Sequence, residues 1–207
     1  MKVCIIAGNS AYREMFEAHG WEVMDNAKNA DLVCFTGGAD VSPELYGQKN
    51  VASYVDKKRD DYEEGLFNAY VGHVPMVGIC RGGQFLNVMC GGSMWQDVDG
   101  HATYGGHIMT DLRTGYDILV SSTHHQMMRY GEGGVVLATA HEAKSFRDDD
   151  GLLTYRDDSI HEDLEVVLYP KQNVLCFQPH PEFKGFAECT KAFFEYLKRI
   201  LPNRFAQ

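Results

Sequence analysis

The segment VPMVGICRGGQFLNVMCGG at residues 74–92 constrains the fold more than any other part of the chain. It reads as a short apolar strand at residues 76–79, one cysteine at a sharp turn, and a helix that begins among glycines. A nucleophile elbow has this form, since its tight strand-to-helix turn requires small residues two positions before and two positions after the reactive residue. Gly78 and Gly82 flank Cys80 at those offsets. The segment therefore predicts a strand–turn–helix unit that presents Cys80.

Two interpretations of Cys80 follow from this stretch. The helix after the turn would point its free N–H groups and its positive end at the sulfur, which favours the reactive thiolate. The alternative is a buried structural thiol at the end of a core strand, as is common for cysteines near apolar runs. The stretch by itself leaves both interpretations open.

Length and charge set the class of protein. The chain has 207 residues with 44% hydrophobic content, so we expect a single α/β domain over residues 1–207 with one substantial core. Nineteen basic and 29 acidic residues give a formal charge of −10. Nucleic acid and anionic membranes are not expected as partners, because phosphate binding requires clustered positive charge.

The cysteine pattern and the N-terminus bear on the location of the protein. Six cysteines occur singly with no CxxC pair, so neither a disulfide framework nor a zinc knuckle is expected, and a reducing cytoplasm is the predicted location. The opening MKVCIIAGNS has too short an apolar run for a signal peptide and reads as a first strand. No apolar segment approaches the roughly 20 residues that a membrane span requires.

Alternating apolar runs and capping signals predict a parallel sheet in the first half of the chain. The second half has turn residues and β-branched residues with connections too short for crossover helices, which predicts antiparallel strands. We expect the helices at 10–19 (capped by Ser10), 60–70 and 184–201, with one helical turn begun by Pro43. We expect the strands at 2–7, 21–24, 31–36, 76–79, 107–112, 117–122, 135–140, 151–155, 165–169 and 173–178, and a hairpin turn at RDDD, 147–150.

A cysteine nucleophile requires a base, and the base requires an orienting group. His180 and Glu182 lie two residues apart in CFQPHPEF, so their side chains leave an extended chain on the same face. Pro181 disfavours the helical region for His180 and helps to keep it extended. A carboxylate beside an imidazole fixes its tautomer and stabilises the imidazolium. A surface turn without a chemical role is the alternative interpretation.

Other histidines offer a second base or a metal site. His124 and His125, followed by Gln126, form a doublet that could supply the base instead. Further histidines stand at His101, His107, His141 and His161. They have neither HxxxH-type spacing nor a carboxylate partner in the sequence, so we expect no metal site and no cofactor.

A glycine pair at the end of a neighbouring strand suggests an oxyanion site. Attack on a carbonyl creates an oxyanion, which preset backbone N–H groups stabilise best. One donor would be the N–H of Arg81, directly after Cys80, and another would be that of Gly38 in the Gly37-Gly38 pair. A glycine turn without such a role is the alternative.

Five motifs in order resemble one family. They are FTGGADVSPELYG (35–47), Arg59-Asp60, GICRGGQFLNVMCGGSMWQDV (78–98), VSSTHHQ (120–126) and QPHPE (178–182). Together they resemble the class I glutamine amidotransferase-like superfamily, and most closely its γ-glutamyl hydrolase branch, peptidase C26, which includes γ-glutamyl-γ-aminobutyrate hydrolases. The resemblance implies a three-layer, flavodoxin-like glutamine amidotransferase fold with a central mostly parallel sheet and a small antiparallel β excursion.

The resemblance also implies roles for individual residues. Cys80 would be the nucleophile, His180 the general base and then acid, and Glu182 its orienting group. The backbone of Gly38 and Arg81 would form the oxyanion hole. Gln84 and His124 stand where the family contacts the γ-glutamyl group or lines its pocket.

Three functions are compatible with these motifs. The leading hypothesis is a free-standing γ-glutamyl hydrolase acting on a small-molecule γ-glutamyl substrate, because 207 residues leave no room for a fused synthetase. The second is a glutaminase subunit that passes ammonia from glutamine to a separate synthetase. The third is a non-catalytic binding protein that keeps the fold. The sequence leaves a homodimer open.

Overall fold

The computed structural model describes residues 1–147, 149–156 and 163–201. The helices are α1 (Ser10–Ala18), α2 (Lys57–Tyr70), α3 (Arg81–Met89) and α4 (Ala187–Leu197). The strands are β1 (Lys2–Ile6), β2 (Glu22–Met24), β3 (Leu32–Phe35), β4 (Met76–Ile79), β5 (Ser93–Trp95), β6 (Val98–Asp99), β7 (Ala102–Asp111), β8 (Asp117–Thr123), β9 (Met127–Arg129), β10 (Val135–Ala140), β11 (Ser145–Arg147), β12 (Leu153–Tyr155), β13 (Asp163–Tyr169) and β14 (Val174–Phe177).

The main sheet of the described residues has nine strands in the order β2-β1-β3-β4-β14-β13-β10-β7-β8. The first five are parallel to one another, and their order is that of a flavodoxin-like sheet. Every residue of β3, β4 and β14 is buried, as expected for parallel strands covered on both faces. The prediction of a central sheet with a parallel arrangement around the cysteine strand is confirmed.

Helices cover both faces of the parallel strands, which confirms the three-layer architecture. On one face Val3 and Cys34 pack in a cluster with Phe16 of α1 and Phe193 of α4. On the other face Val33 packs in a cluster with side chains of α2 and α3 that include Phe67 and Phe85. Neighbouring residues of one strand belong to different clusters, because successive side chains of a strand point to opposite faces.

The antiparallel strands extend the same sheet. The pairs β14–β13, β13–β10, β10–β7 and β7–β8 are all antiparallel. The antiparallel arrangement predicted for the second half is therefore correct, but most of it continues the main sheet. Only β12-β11-β6 and β5-β9 form small separate sheets in the described part of the chain.

Several predicted boundaries were wrong for local reasons. Asn9 caps α1, because its side chain accepts a hydrogen bond from the backbone N–H of Ala11 at 2.9 Å, whereas Ser10 is already helical. Asp56 caps α2, which begins three residues before Asp60. The first long antiparallel strand begins at Ala102 instead of 107, and α4 is limited to Ala187–Leu197. Asp148, His161 and the last six residues of the predicted domain lie outside the described residues.

Within the part of the chain that the structure describes, no helix has the length and apolar character needed to cross a membrane.

Candidate active site

Three loops meet at the carboxyl edge of the parallel strands. Strand β4 lies between β3 and β14, with Phe35 paired to Gly78 and Phe177 paired to Ile79. The loop after β3 carries the Gly37-Gly38 pair, the turn after β4 carries Cys80, and the loop after β14 carries His180. Open parallel sheets place ligand sites at this edge. The register thus brings together residues that are far apart in the sequence.

Cys80 has the strained backbone of a nucleophile elbow. Its φ of 52° and ψ of −117° lie in a region that residues with a Cβ rarely adopt. A Cβ at Gly78 would overlap the backbone of Gly82, and a Cβ at Gly82 would overlap the carbonyl group of Phe35. The two glycines predicted from the sequence therefore allow α3 to pack directly on the backbone of the sheet.

His180 lies against Cys80 and is held by Glu182. Its Nδ1 atom is 2.6 Å from Oε1 of Glu182, and both side chains are largely buried. The expectation of an extended chain here was wrong: Pro181 and Glu182 lie in a turn, in which the Phe183 N–H donates to the His180 carbonyl at 3.3 Å. Burial lowers the pKa of His180, but attraction to Cys80, a hydrogen bond with its side chain and pairing with Glu182 outweigh burial and raise the pKa to about 10. The raised pKa favours the cationic form of the imidazole beside the sulfur.

Further contacts fix the position of the His180 ring and backbone. The backbone N–H of His180 donates to Oγ of Ser121 at 2.7 Å, and that hydroxyl donates to the carbonyl of His180 at 3.2 Å. Phe183 stacks on the imidazole with ring centroids 4.5 Å apart. The Tyr12 hydroxyl lies 3.5 Å from His180 Nδ1 and accepts the Gly37 N–H at 3.1 Å. Burial and the Glu182 carboxylate raise the pKa of Tyr12, so it remains a phenol.

The Gly37-Gly38 loop has no space for side chains. A Cβ at Gly37 would lie 2.8 Å from Cε1 of His180, and a Cβ at Gly38 would overlap the guanidinium of Arg59. Gly38 also has a φ of +148°, which favours glycine. Arg59 donates to the carbonyls of Thr36 at 2.7 Å and Gly37 at 2.9 Å. These bonds hold the loop beside the elbow.

The side chain of Arg81 supports the same loop from inside the protein. It is buried, donates from Nε to the carbonyl of Ala39 at 3.1 Å, and forms ion pairs with Asp60 and Glu63 of α2. The fold buries Asp60 and Glu63 against this guanidinium. The sequence did not reveal this network, because its members come from separate elements.

One cavity contains five of the predicted site residues. Gly38, Cys80, Arg81, Gln84 and His124 line a space of about 280 Å³. Larger clefts of about 400 and 510 Å³ lie beside α4, but neither is lined by a cysteine. The small cavity therefore places Cys80 beside space for a ligand.

The polar wall of this cavity is partly committed to internal contacts. The amide nitrogen of Gln84 donates to the carbonyl of Gln126 and to Oε1 of Gln178, each at 3.1 Å. Nδ1 of His124 lies 2.8 Å from the Gln126 carbonyl, and burial lowers the pKa of His124 well below 6.5. His125 instead pairs with Asp40 at 3.2 Å. Of the candidate bases, His180 is the one whose pKa is raised by Cys80.

Of the other candidate metal-binding histidines, two are buried together and one is exposed. His101 and His107 lie together in the interior with Glu165, a carboxylate that is far from both in the sequence. His141 is exposed and contacts Arg156, and His161 is outside the described residues. The expectation of no metal site rested on the lack of a carboxylate partner in the sequence, and the fold supplies one.

Comparison with known proteins places the chain in a family. Residues 18–182 match the family described as peptidase C26. The chain is 30% identical over 184 residues to the glutamine amidotransferase-like protein YvdE of Lactococcus lactis subsp. lactis, and the match covers 76% of this chain and 70% of YvdE. It is also 30% identical over 123 residues to protein NtpR of Enterococcus hirae, covering 48% of this chain and 51% of NtpR.

Solved structures share the fold at low sequence identity. A glutamine amidotransferase from Thermotoga maritima aligns with a TM-score of 0.63 at 15% identity, covering 96% of this chain and 82% of that chain. A protein described as part of a GMP synthase from Thermoplasma acidophilum aligns with a TM-score of 0.67 at 14% identity, covering 97% and 94%. PurLQS from Thermotoga maritima gives 0.52 at 15% identity, covering 95% and 98%.

The sheet order, the elbow and these likenesses define a class I glutamine amidotransferase-like protein. Within that superfamily, the chain belongs to the peptidase C26 family. Membership of this family supports a hydrolase or amidotransferase role.

Proposed function

We propose that this protein is a cysteine hydrolase that cleaves γ-glutamyl amides through a γ-glutamyl thioester on Cys80. The observation that carries the proposal is the contact between Cys80 on its strained turn and His180, whose Nδ1 is held 2.6 Å from Glu182. A nucleophile, a base and an orienting carboxylate in this order are the parts that acyl transfer requires.

The first half of the proposed reaction forms the thioester. The Cys80 thiolate attacks the γ-carbonyl carbon, and the carbonyl oxygen becomes an oxyanion. The backbone N–H groups of Gly38 and Arg81 stabilise that charge; the Arg81 N–H is free of an intrahelical partner because Arg81 begins α3. The His180 imidazolium then protonates the leaving nitrogen as the carbon–nitrogen bond breaks, which releases ammonia or an amine.

The second half restores the enzyme. His180, now neutral, takes a proton from water, and the hydroxide attacks the thioester carbonyl. Collapse of this second oxyanion releases glutamate and the Cys80 thiolate beside the His180 imidazolium. Glu182 keeps the imidazole in the required tautomer throughout, because its oxygen accepts the Nδ1–H.

The γ-glutamyl group is proposed as the acyl part because of family membership and the size of the cavity. A space of about 280 Å³ lies just below the usual range for small-molecule sites, which suits one short polar chain. Gln84 and His124 would line the pocket around this group. The proposal leaves the amine half of the substrate open.

A panel of γ-glutamyl amides, including glutamine, tests the proposal. We expect the purified protein alone to release amine or ammonia from at least one member, and Cys80→Ala to release none while remaining folded. A glutamine-analogue electrophile should label Cys80 at neutral pH, as read by peptide mass spectrometry. Folded wild-type protein with neither turnover nor labelling would instead support a non-catalytic binding role.

A glutaminase subunit that supplies ammonia to a synthetase is the second candidate. Solved structures with this fold include PurLQS and the protein described as part of a GMP synthase. Ammonia release from glutamine that appears only after a synthetase is added would select this candidate. Release by the purified protein alone selects the hydrolase.

A further inference from the structure

A cluster of buried histidine and carboxylate groups lies apart from the Cys80–His180 pair. His101 precedes β7, His107 lies on β7, and Glu165 lies on β13. Their fractional exposures are 0%, 5% and 0%. One side-chain donor atom from each lies within 4.8 Å of the others. The three side chains thus face a common point in the interior.

The distances are close to those of a coordination sphere. Nε2 of His107 is 2.9 Å from Oε1 of Glu165, and Nδ1 of His101 is 3.7 Å from the same oxygen. Ligands bound at about 2.0–2.1 Å to a tetrahedral Zn²⁺ lie roughly 3.3 Å from one another. Both distances to Oε1 of Glu165 differ from that spacing by about 0.4 Å, and the three donor atoms all lie within 4.8 Å of one another.

Several buried atoms at this point lack hydrogen-bond partners within the described residues. They include Nδ1 of His101, Nδ1 of His107 and Oε2 of Glu165. Nε2 of His107 and Oε1 of Glu165 form an ion pair at 2.9 Å. Buried polar atoms without partners cost free energy, and an ion that binds them removes that cost.

A second carboxylate fixes the tautomer of His101. Oδ2 of Asp163 lies 2.9 Å from Nε2 of His101 and also accepts the backbone N–H groups of Glu142 and Ala143. Arg156 pairs with the other Asp163 oxygen. Nε2–H of His101 therefore donates to Asp163, which leaves the Nδ1 lone pair directed at Glu165. Histidines that bind metals typically have such a carboxylate on the second ring nitrogen.

We propose that Nδ1 of His101, Nε2 of His107 and the Glu165 carboxylate bind one divalent transition-metal ion, for which Zn²⁺ is the best match. Two imidazoles and one carboxylate are a common zinc ligand set. His124 is not a member of this cluster and lines the Cys80 cavity instead. The proposed ion has no role in the Cys80 chemistry.

The ion would connect strands that the sheet does not join directly. Strand β10 separates β13 from β7 and pairs with β7 only at Thr110 and Asp111. The part of β7 from Ala102 to His107 pairs on one side with β8. A metal between His107 and Glu165 would hold this part of β7 against β13. Removal of the ion should therefore lower the thermal stability of the protein.

Cobalt titration tests the site without any measurement of activity. We expect metal-free protein to bind one equivalent of Co²⁺ with the visible absorption of a four- or five-coordinate site. Because all the ligands are nitrogen or oxygen, no sulfur-to-cobalt charge-transfer band should appear, and Cys80→Ser should give the same spectrum. Zinc should displace the cobalt and raise the thermal midpoint.

Matched variants identify the ligands. Glu165→Gln and His107→Gln should each weaken cobalt binding by more than about 100-fold, beyond the loss typical of outer-sphere changes. His73→Gln, which removes an exposed histidine, should bind as wild type does. Circular dichroism of the metal-free proteins checks folding, and His101→Gln replaces any variant that does not fold.

Three results would overturn the proposal. They are no binding near one equivalent, unchanged affinity in the folded Glu165→Gln and His107→Gln variants, and a sulfur charge-transfer band that is lost in Cys80→Ser. If no metal binds near one equivalent, a buried His107–Glu165 ion pair explains the cluster.

Discussion

Nδ1 of His180 lies 2.6 Å from Oε1 of Glu182, although Pro181 separates the two residues. The turn after β14 brings the two side chains together, and the adjacent strand β4 brings Cys80 to the imidazole. A local spacing and a non-local strand pairing together produce the arrangement.

Replacement of Glu182 by glutamine should reduce turnover while the fold persists. The amide keeps the shape but removes the charge that stabilises the imidazolium, so we expect kcat to fall by on the order of 10²- to 10⁴-fold. The pKa of His180 should fall as well, because Glu182 contributes to its elevation. Steady-state kinetics and an NMR titration of the imidazole measure the two effects. Glu188→Gln, on the exposed surface of α4, is the control and should leave both unchanged.

The backbone strain at Cys80 predicts a difference between two inactive variants. Cys80→Ala and Cys80→Gly both remove the sulfur, but only glycine relieves the strain of a φ of 52°. Strain of this kind costs of order 1–3 kcal/mol, and the added chain entropy of glycine offsets part of the gain. We expect Cys80→Gly to be more stable than Cys80→Ala by about 1 kcal/mol in urea unfolding. Equal stability, or a less stable glycine variant, would contradict strain at this turn.

The raised pKa of His180 predicts how its contribution to stability depends on pH. Cys80, Glu182 and Tyr12 face the imidazole, and its folded pKa of about 10 exceeds the ordinary value of 6.5. A group with a raised folded pKa contributes fully below its unfolded pKa, and the contribution is lost as the pH rises through the folded pKa.

The difference in unfolding free energy between wild type and His180→Gln should therefore be constant below about pH 6.5 and should shrink towards about pH 10. Urea unfolding of both proteins across this range provides the measurement. A difference that grows with pH would show that the imidazole is not held as a cation. His73→Gln controls for the removal of an exposed imidazole.

Loss of the Arg81 side chain should be strongly destabilising. Arg81→Met would leave the buried carboxylates of Asp60 and Glu63 without this cation, at a cost of about 3–5 kcal/mol. The matched change Arg13→Met removes an exposed pair with Glu17 and should cost less than about 0.5 kcal/mol. Chemical unfolding of both variants measures the two losses of unfolding free energy. Similar losses would show that the buried network stabilises the fold no more than the exposed pair does.

Local rules made much of the fold predictable. The apolar runs at β1, β3, β4 and β14 are confirmed as strands. They could be recognised because parallel strands covered on both faces are largely apolar. The predicted start of α1 was wrong because two neighbouring residues, Asn9 and Ser10, are both of a type that caps helices. The strands of the second half were recognised, but their membership of the main sheet depends on pairing between distant segments, which the sequence does not encode locally.

The sequence by itself determined the elbow, because the glycines around Cys80 answer a steric requirement within a few residues. It also placed a carboxylate two residues after His180, although a turn instead of the expected extended chain brings the two side chains together. Only the tertiary structure decided which groups surround them: Tyr12 and Ser121 at His180, and Asp60 and Glu63 at Arg81. It alone brought Glu165 to His101 and His107. These contacts join elements that are far apart in the chain, and sheet register and helix packing set their distances.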